Sequence, residues 1–354
     1  MAHYPFHKTG KPWPRNQWYV AAWSHEIETT PLQRKLLGHT IILRRLRNGH
    51  ISAVSALCPH RRMPLASACI DENDQIVCPY HGATFSGAGH CTSLPFQKHV
   101  PDTMHLTAFA TAETAPFIWI WEGNASEADM SLLPDIKPLK LSAESTLIFG
   151  FGYRHVRARA QIILENLFDE SHISFTHTHS LGTRCASDRN PADLAITDQP
   201  DYLAFRHASP CRQTEDGMLS LFPSLGQFMQ VEYRSELYGV SLINTVGTET
   251  FSCREDGTHV ALSGCMNFLH GITPETETTT HYFIAATRDF ATDSKEYTDI
   301  LAERNFLVID EDIRVLEAIE PHLEEAETQP EPNFTTDAAG IRVRRRIETL
   351  LEDA

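Results

Sequence analysis

The chain has 354 residues, with 46 acidic against 30 basic side chains and a formal net charge of −16 at pH 7. This length suits two domains that each bury a core, and the acidic balance argues against a nucleic-acid partner because a phosphate backbone would be repelled. The longest apolar runs, such as residues 115–121, are only as long as a strand, and residues 1–15 lack the apolar centre of a signal peptide, so we expect a soluble, cytoplasmic protein without a membrane partner.

The first third of the sequence predicts antiparallel β-structure. Residues 39–46 and 51–57 flank the pair Asn48-Gly49, which predicts a hairpin whose turn uses the tolerance of Asn and Gly for positive φ. Further strands are predicted at residues 75–78, around Phe85 and at residues 117–121. The first domain is therefore expected to be all-β.

A polar stretch that contains a proline, residues 122–138, separates this region from a different pattern. We place the domain boundary there, with one domain at residues 1–130 and the other at residues 131–354. The second part predicts a strand near residues 147–156, a helix from Gln161, a strand-rich region at 202–290, and helices at 294–325 and from Asp337 to the C-terminus. This pattern is typical of an α+β domain with an antiparallel sheet.

Two short motifs combine cysteine with histidine. They are Cys58-Pro-His60 and, further along, Cys78-Pro-Tyr-His81. Two thiolates and two imidazoles are the ligands of a Rieske [2Fe–2S] cluster, in which the thiolates hold one iron and the imidazoles the other. A structural zinc site is the alternative, but zinc fingers normally pair two cysteines in one motif and two histidines in another. The remaining cysteines are expected to be ordinary buried thiols: Cys69, Cys91, Cys185, Cys211, Cys253 and Cys265.

A second cluster of candidate ligands lies at residues 165–177. On a helix, Asp169 and His172 would share a face, whereas His177 would lie about 140° round from His172. Both imidazoles can bind one ion only if the helix bends or ends between them, and the intervening residues include no strong helix former. A mononuclear iron that activates O₂ commonly uses two histidines and one carboxylate, which leaves positions open.

The carboxylate must come from elsewhere, and Asp312 is the best candidate. Its helical neighbours at three and four residues are all apolar: Val308, Ile309, Val315 and Leu316. A carboxylate on such a face is costly to bury unless it is paired or bound to a metal. Asp310 and Glu311 each have Arg314 as a helical neighbour and are expected nearer the polar side.

These motifs resemble those of the Rieske non-haem iron oxygenases. The stretches Cys58-Pro-His60-Arg61 and Cys78-Pro-Tyr-His81-Gly82 are similar to the cluster loops of that family, and Asn166-x-x-Asp169-x-x-His172-x₄-His177 is similar to its iron motif. Asp312 matches the third ligand of the branch that contains dicamba monooxygenase and vanillate O-demethylase. One departure is Arg62, where many members have glycine. The similarity extends over nearly the whole chain.

The resemblance implies a set of cofactors and partners. It assigns the [2Fe–2S] cluster to Cys58, His60, Cys78 and His81. It assigns a mononuclear Fe(II) to His172, His177 and Asp312. In the family, Asp169 is not a ligand but bridges His172 to His81 of the partner subunit in a homotrimer, and a carboxylate near His172 can accept its ring N–H. Electrons are expected from NAD(P)H through a separate reductase or ferredoxin.

The resemblance also implies the activity. The branch uses O₂ to hydroxylate methyl groups or remove O-methyl groups from small aromatic molecules, chiefly aromatic acids, and a hydroxylated O-methyl group leaves as formaldehyde. His270 and Asn244 match residues that contact substrate, and Asn166 is a further candidate, although a structural hydrogen bond is an alternative role. Glu303 stands at the position of a pocket tryptophan of dicamba monooxygenase, which argues against an identical substrate.

The sequence leaves three other functions open. A ring-hydroxylating dioxygenase that forms cis-dihydrodiols would use similar motifs, but such enzymes usually need a β subunit. A Rieske electron carrier or a zinc-stabilised binding protein would need only the first third of the chain, which leaves the second cluster of ligands unexplained.

Overall fold

The computed structural model describes residues 12–169, 171–180, 195–214, 216–323 and 332–352. The chain divides into two compact units. The smaller comprises residues 14–133 together with residues 273–276, and the larger contains the rest of the chain from residue 134 onward. The domain limits predicted from the sequence, residues 1–130 and 131–354, remain predictions.

The smaller unit consists of short antiparallel strands in three sheets within the described residues. The strands are β1 (Gln17–Trp23), β2 (Leu32–Leu36), β3 (His39–Arg45), β4 (Ile51–Ser55), β5 (Cys69–Ile70), β6 (Ile76–Val77), β7 (Thr84–Phe85), β8 (Cys91–Ser93), β9 (Ala108–Phe109), β10 (Thr111–Thr114) and β11 (Phe117–Glu122). Their orders are β1-β11-β10, β2-β3-β4-β9 and β5-β6-β7-β8. The motif with Cys78 and His81 lies in the loop between β6 and β7 of the last sheet, and the motif with Cys58 and His60 lies between β4 and β5.

The predicted hairpin is formed by β3 and β4, which pair from Ile41 opposite Ser55 to Arg45 opposite Ile51. Its loop is wider than a two-residue turn, and only Gly49 adopts a positive φ, of 88°. Asn48 instead accepts a hydrogen bond on its side chain from the N–H of His50 at 3.0 Å. The pair Asn48-Gly49 therefore forms the turn, in which Gly49 supplies the positive φ and the Asn48 side chain supplies a hydrogen-bond acceptor.

The larger unit contains one antiparallel sheet and the helices that cover it. The strands are β12 (Leu147–Val156), β13 (Ala195–Gln199), β14 (Tyr202–Ala208), β15 (Arg212–Gln213), β16 (Phe228–Tyr238), β17 (Leu242–Cys253), β18 (His259–Pro274) and β19 (Thr280–Arg288). Their order is β12-β19-β18-β17-β16-β14-β13, and β15 pairs with β16. Every residue of β19 is buried, as expected for a central strand that is covered on both faces.

Five α-helices complete the described part of this unit. They are α1 (Ala160–Phe168), α2 (Ile173–Thr176), α3 (Asp216–Leu221), α4 (Lys295–Ile319) and α5 (Ala338–Glu352). The fold is the α+β arrangement that the sequence predicts. No helix in the described ranges is long and apolar enough to cross a membrane.

Helix α4 carries much of the site described below. It begins where the Ser294 hydroxyl accepts a hydrogen bond from the N–H of Tyr297 at 3.3 Å, and it ends just before Pro321, which cannot continue a helix. Its buried residues are Glu311 and a stripe formed by Asn305, Ile309, Asp312 and Leu316. This spacing of four, three and four residues is the period of one helix face directed into the protein.

Candidate metal centres and substrate pocket

The two loops that carry the Cys-His motifs have the same backbone geometry. In each loop the cysteine N–H donates to the carbonyl oxygen five residues later, at 2.9 Å for Cys58 and 2.8 Å for Cys78. Each cysteine carbonyl then accepts from the N–H four residues later, from Arg62 and from Gly82, both at 2.9 Å. The two loops therefore present their cysteines in matching positions, and each adds one histidine, two residues after Cys58 in the first loop and three residues after Cys78 in the second.

Arg62, which stands where many members of the family have glycine, adopts a backbone conformation that favours glycine. Arg62 has a φ of 57° and Gly82, its counterpart in the other loop, a φ of 72°, so both occupy the left-handed region that favours glycine. A side chain at Gly82 would also place its Cβ 2.9 Å from Pro95 Cγ. Arg62 is exposed and avoids a clash, at a conformational cost of about 1 kcal/mol.

The four predicted cluster ligands converge. Cys58 and Cys78 are each 2% exposed, on a core that includes Ile42, Val54 and Phe85, and their thiols contact each other. Burial raises the pKa of the Cys58 thiol, so a thiolate there needs a positive partner such as iron.

The histidines of the same two loops lie at the surface. His60 is exposed and His81 half-buried, and their Nδ1 atoms are 3.2 Å apart. Two nitrogens bound to one ion at about 2.1 Å with a right angle between them would be about 3 Å apart. The donor set therefore fits a Rieske cluster, which the buried Cys58 and Cys78 would hold from the interior and His60 and His81 from the surface side, and which would supply electron transfer.

The three predicted iron ligands also meet. His172 Nε2 lies 3.3 Å from His177 Nε2, and Asp312 Oδ1 lies 3.2 Å and 3.1 Å from these two nitrogens. Three ligands at right angles on one ion at about 2.1 Å would form such a triangle. Although the atoms are close, Asp312 Oδ1 is buried without a hydrogen bond of acceptable geometry, which fits a carboxylate directed at a metal. The residues present therefore fit a mononuclear iron with positions left open.

The charges around this triangle favour a cation. Burial lowers the pKa of His172, but the carboxylates of Asp169 and Asp312 outweigh this effect and raise it to about 9. Burial raises the pKa of Asp312, yet the two imidazoles hold it below its ordinary value. In the absence of a metal the site attracts protons to its imidazoles, and a bound divalent ion would replace them.

The local fold differs from the expected helix that includes Asp169 and His172 and ends before His177. Helix α1 ends at Phe168, because the Asp169 side chain accepts hydrogen bonds from the N–H of Ser171 at 2.7 Å and from its hydroxyl at 2.6 Å. His172 then precedes the short helix α2, and His177 follows it. The chain thus breaks before His172 rather than after it, and α2 turns the two imidazoles towards each other.

The three neighbouring acidic residues of α4 have different environments. Asp312 faces the two histidines, as the apolar helix neighbours predicted. Asp310 pairs with Arg154, whose Nε lies 2.7 Å from Asp310 Oδ1, and its side chain is 44% exposed. Glu311 was expected nearer the polar side, and that expectation is wrong: it is buried against His177.

Glu311 is a functional candidate that the sequence did not reveal. Its Oε2 accepts a hydrogen bond from His177 Nδ1 at 2.9 Å and another from the Ser180 hydroxyl at 2.6 Å. With Nδ1 donating, the Nε2 lone pair of His177 is free to bind a metal. A histidine that binds a metal through one ring nitrogen usually donates a hydrogen bond from the other. A carboxylate adjacent in sequence to a predicted ligand, as Glu311 is to Asp312, is therefore a candidate acceptor for that bond.

We expect Glu311→Ala to weaken Fe(II) binding by about 10- to 100-fold, because His177 would lose the acceptor that fixes its ring. Glu311→Gln should lose less than about 10-fold, since an amide oxygen can still accept the Nδ1 proton. Fe(II) titration of cluster-containing, iron-stripped protein measures the effect. Glu317→Gln is the control, because Glu317 pairs with Arg157 instead. Wild-type iron affinity in Glu311→Ala would contradict this role.

Asp169 and Asn166 border His172 from the other side. Asp169 Oδ2 lies 3.6 Å from His172 Nδ1, and Asn166 Nδ2 lies 3.5 Å from His172 Nε2. Burial raises the pKa of Asp169, but the nearby His172 ring and the hydrogen bonds from Ser171 outweigh this effect and hold the pKa below its ordinary value, so the carboxylate stays charged. Asp169 is thus near His172 without belonging to the triangle of candidate ligands.

A cavity of about 340 Å³ adjoins the triangle, and all three candidate ligands line it. Much of its wall is apolar: Leu167, Ile173, Val246, Phe268, Val308 and Ile309. Besides the candidate ligands, the polar residues of the wall include Thr245, Arg304 and Asn305. The size and lining suit a molecule with one aromatic ring.

The predicted substrate residues fall into three groups. Asn166 and His270 line the cavity. Tyr282 contacts Nδ1 of the buried His270 at 2.8 Å, and among the described residues none forms a hydrogen bond with its Nε2. Burial lowers the pKa of His270 to about 3, so the ring is neutral. Asn244 is not among the lining residues, since its amide donates to Glu236 at 2.9 Å. Glu303 is exposed and also does not line the cavity.

The other cysteines are more varied than predicted. Cys253 and Cys265 are buried, but Cys69 is exposed, so the expectation of buried thiols is wrong for it. Cys91 and Cys211 are half-buried, and the Sγ atoms of Cys211 and Cys253 lie 2.9 Å apart. Cys185 lies outside the described residues.

Comparison with known proteins identifies both parts of the chain. Residues 17–106 match the Rieske [2Fe-2S] domain, and residues 156–353 match the vanillate O-demethylase oxygenase C-terminal domain. The chain is 29% identical over 353 residues to the oxygenase component of dicamba O-demethylase from Stenotrophomonas maltophilia, covering 95% of this chain and 97% of the relative.

Two further similarities extend over the same length. The chain is 27% identical over 343 residues to the putative toluene-4-sulfonate monooxygenase system iron-sulfur subunit TsaM2 of Comamonas testosteroni, covering 96% and 97% of the two chains. A crystal structure of dicamba monooxygenase bound to 3,6-dichlorosalicylic acid matches with a TM-score of 0.82 at 26% identity, covering 96% and 97%. The chain therefore belongs to the vanillate O-demethylase oxygenase family, and it is the oxygenase component of a Rieske non-haem iron monooxygenase with a [2Fe–2S] cluster and a mononuclear iron.

Proposed function

We propose that this oxygenase hydroxylates a methyl group, or removes an O-methyl group, on a small aromatic substrate. The observation that carries the proposal is the shared position of the candidate ligands and the cavity: His172, His177 and Asp312 line the same space of about 340 Å³ as the apolar side chains. The named relatives act on dicamba and toluene-4-sulfonate, which are aromatic. A bound iron with open positions would supply the O₂ chemistry.

The chain's own residues would do the remaining work. His172, His177 and Asp312 hold the iron, and Glu311 orients His177. Apolar walls exclude water from the ring of the substrate, while Asn166 and His270 offer polar contacts to it. Asn244 acts on the substrate indirectly in this proposal, by positioning Phe268, which lines the cavity. The side-chain Oδ1 of Asn244 accepts a hydrogen bond from the backbone N–H of Phe268 at 3.1 Å.

Electrons would arrive from NAD(P)H through a separate reductase or ferredoxin and pass between subunits of a homotrimer. A second cavity of about 300 Å³ reaches Asp169 and His172, and Val315 and Ile319 line it. These two side chains are 41% and 42% exposed, and nearby Phe175 is 82% exposed. An exposed apolar surface around Asp169 is what docking of a partner subunit would cover, which supports a bridge from Asp169 to His81 of the partner subunit. A cytoplasmic location belongs to the same proposal.

The test is a turnover screen of protein loaded with cluster and iron, supplied with NADH, a surrogate reductase and ¹⁸O₂. The panel consists of methoxy- and methyl-substituted aromatic acids and their neutral analogues. We expect formaldehyde from a methoxy substrate, or a hydroxymethyl product that carries one labelled oxygen atom. A cis-dihydrodiol with two labelled atoms would instead identify the ring-hydroxylating dioxygenase, and reduction of the cluster without any product would favour an electron carrier.

A further inference from the structure

Arg304 is a charged side chain of α4 that the proposed mechanism leaves unused. Among the described residues that line the substrate cavity, it is the one with a fixed positive charge. The side chain is exposed, so it lies where the cavity opens to solvent. His270, the other basic residue of that wall outside the candidate ligands, is neutral and cannot supply charge.

The helix offers Arg304 no counter-ion. Its neighbours at three and four residues are all apolar: Ile300, Leu301, Leu307 and Val308. Arg304 forms no ion pair or hydrogen bond with any residue in the described ranges. Other arginines of the larger unit behave differently: Arg154, Arg159 and Arg344 are each paired with a carboxylate, at 2.7, 2.7 and 2.8 Å. A guanidinium at a cavity entrance without a protein partner is available to a ligand.

The position of Arg304 on the helix separates it from the candidate iron ligands. Arg304 and Asp312 are eight residues apart on α4, which corresponds to about 12 Å along the helix axis and a rotation of about 80°. Both side chains can therefore line one cavity from different ends. A ligand group held at Arg304 is kept away from the open positions of the metal, which a carboxylate would otherwise occupy.

We propose that Arg304 selects substrates with an anionic group, a carboxylate or a sulfonate, and holds that group at the cavity entrance so that the opposite end of the ring approaches the candidate iron site. The guanidinium presents paired N–H donors that match the oxygens of either acid. The inference rests on the proposed function, because it assumes that the cavity binds the substrate.

Equilibrium binding by calorimetry tests the selection independently of turnover. The protein is loaded with cluster and iron and kept anaerobic, and the probes are 4-methoxybenzoate, 4-methoxybenzenesulfonate and the neutral 4-methoxybenzamide. We expect Arg304→Gln to weaken binding of at least one of the two acids by about 10- to 100-fold, the loss of a charge-assisted hydrogen-bonded pair. Binding of the amide should change by less than about 3-fold. Arg304→Lys, which keeps the charge but loses the paired donors, should lie between wild type and Arg304→Gln.

The matched control is Arg345→Gln, which removes the same charge from an exposed arginine that does not line this cavity. It should bind both acids as wild type does. Unchanged acid binding in Arg304→Gln, equal weakening of acids and amide, or wild type that prefers the amide would each overturn the inference. If the acids bind through Arg304 but no aromatic substrate is turned over, the inference stands and the proposed function fails. The acid that loses more affinity in Arg304→Gln identifies the group that Arg304 binds.

Discussion

Asp312→Ala is expected to abolish product formation and empty the mononuclear site while the absorption spectrum of the cluster stays unchanged. The carboxylate is buried and lies 3.1–3.2 Å from both imidazole nitrogens, so its removal leaves only two of three ligands. Iron affinity should fall at least about 100-fold, since even residues that only support metal ligands are worth 10- to 100-fold. Iron and acid-labile sulfide analyses, with the visible spectrum, measure the two metal sites separately.

Asp310→Ala is the matched control for this prediction. Asp310 lies two residues earlier on the same helix, but its carboxylate pairs with Arg154 and is 44% exposed. Loss of such a half-exposed ion pair should cost at most about 1 kcal/mol of stability and leave the iron content at the wild-type level. Loss of iron in Asp310→Ala, together with an active Asp312→Ala enzyme, would show that the wrong carboxylate has been assigned.

Asp169→Asn is expected to retain both metal sites and nearly eliminate turnover. The substitution preserves size but removes the charge of a carboxylate whose Oδ2 faces His172 Nδ1 at 3.6 Å. If Asp169 joins the two redox centres across subunits, electrons should leave the cluster slowly. The measurement is single-turnover kinetics on pre-reduced protein, in which cluster oxidation is followed after O₂ and substrate are added.

Two controls separate this role from a structural one. Iron content and oligomeric mass should match the wild type, which shows that the site and the assembly persist. Asp310→Asn makes the same chemical change outside the proposed electron path and should oxidise its cluster at the wild-type rate. Wild-type oxidation in Asp169→Asn would leave Asp169 as a residue that ends α1 and positions His172.

The local sequence was sufficient to predict the buried position of Asp312, because α4 is one continuous helix. Its neighbours at three and four residues lie on the same face, so their apolar character reports directly on the environment of the carboxylate. Glu311 could not be predicted in this way. Its burial depends on His177, which reaches it from another segment of the chain, and the helical neighbour Arg314 gave a misleading indication of a polar surface.

In the segment from Asp169 to His177, the residue types were informative but the local backbone structure could not be predicted from the sequence. The candidate ligands were predicted from residue type and spacing, but the helix was expected to continue past Asp169. Helix propensity carries little weight where an aspartate can bind backbone N–H groups of the next residues, because that bond competes with the helix. The hairpin of β3 and β4 was easier to predict, since turn residues such as Gly49 separate its two strands clearly.

The contact between Tyr282 and His270 fixes the hydrogen-bond polarity of the cavity. The Tyr282 hydroxyl is buried and its proton needs an acceptor, so we assign it as the donor to His270 Nδ1 at 2.8 Å. The neutral ring then carries its own proton on Nε2, and this N–H is the group without a partner. The wall therefore favours an ether, carbonyl or acid oxygen next to His270 and disfavours an ammonium or amide N–H group, which can only donate there.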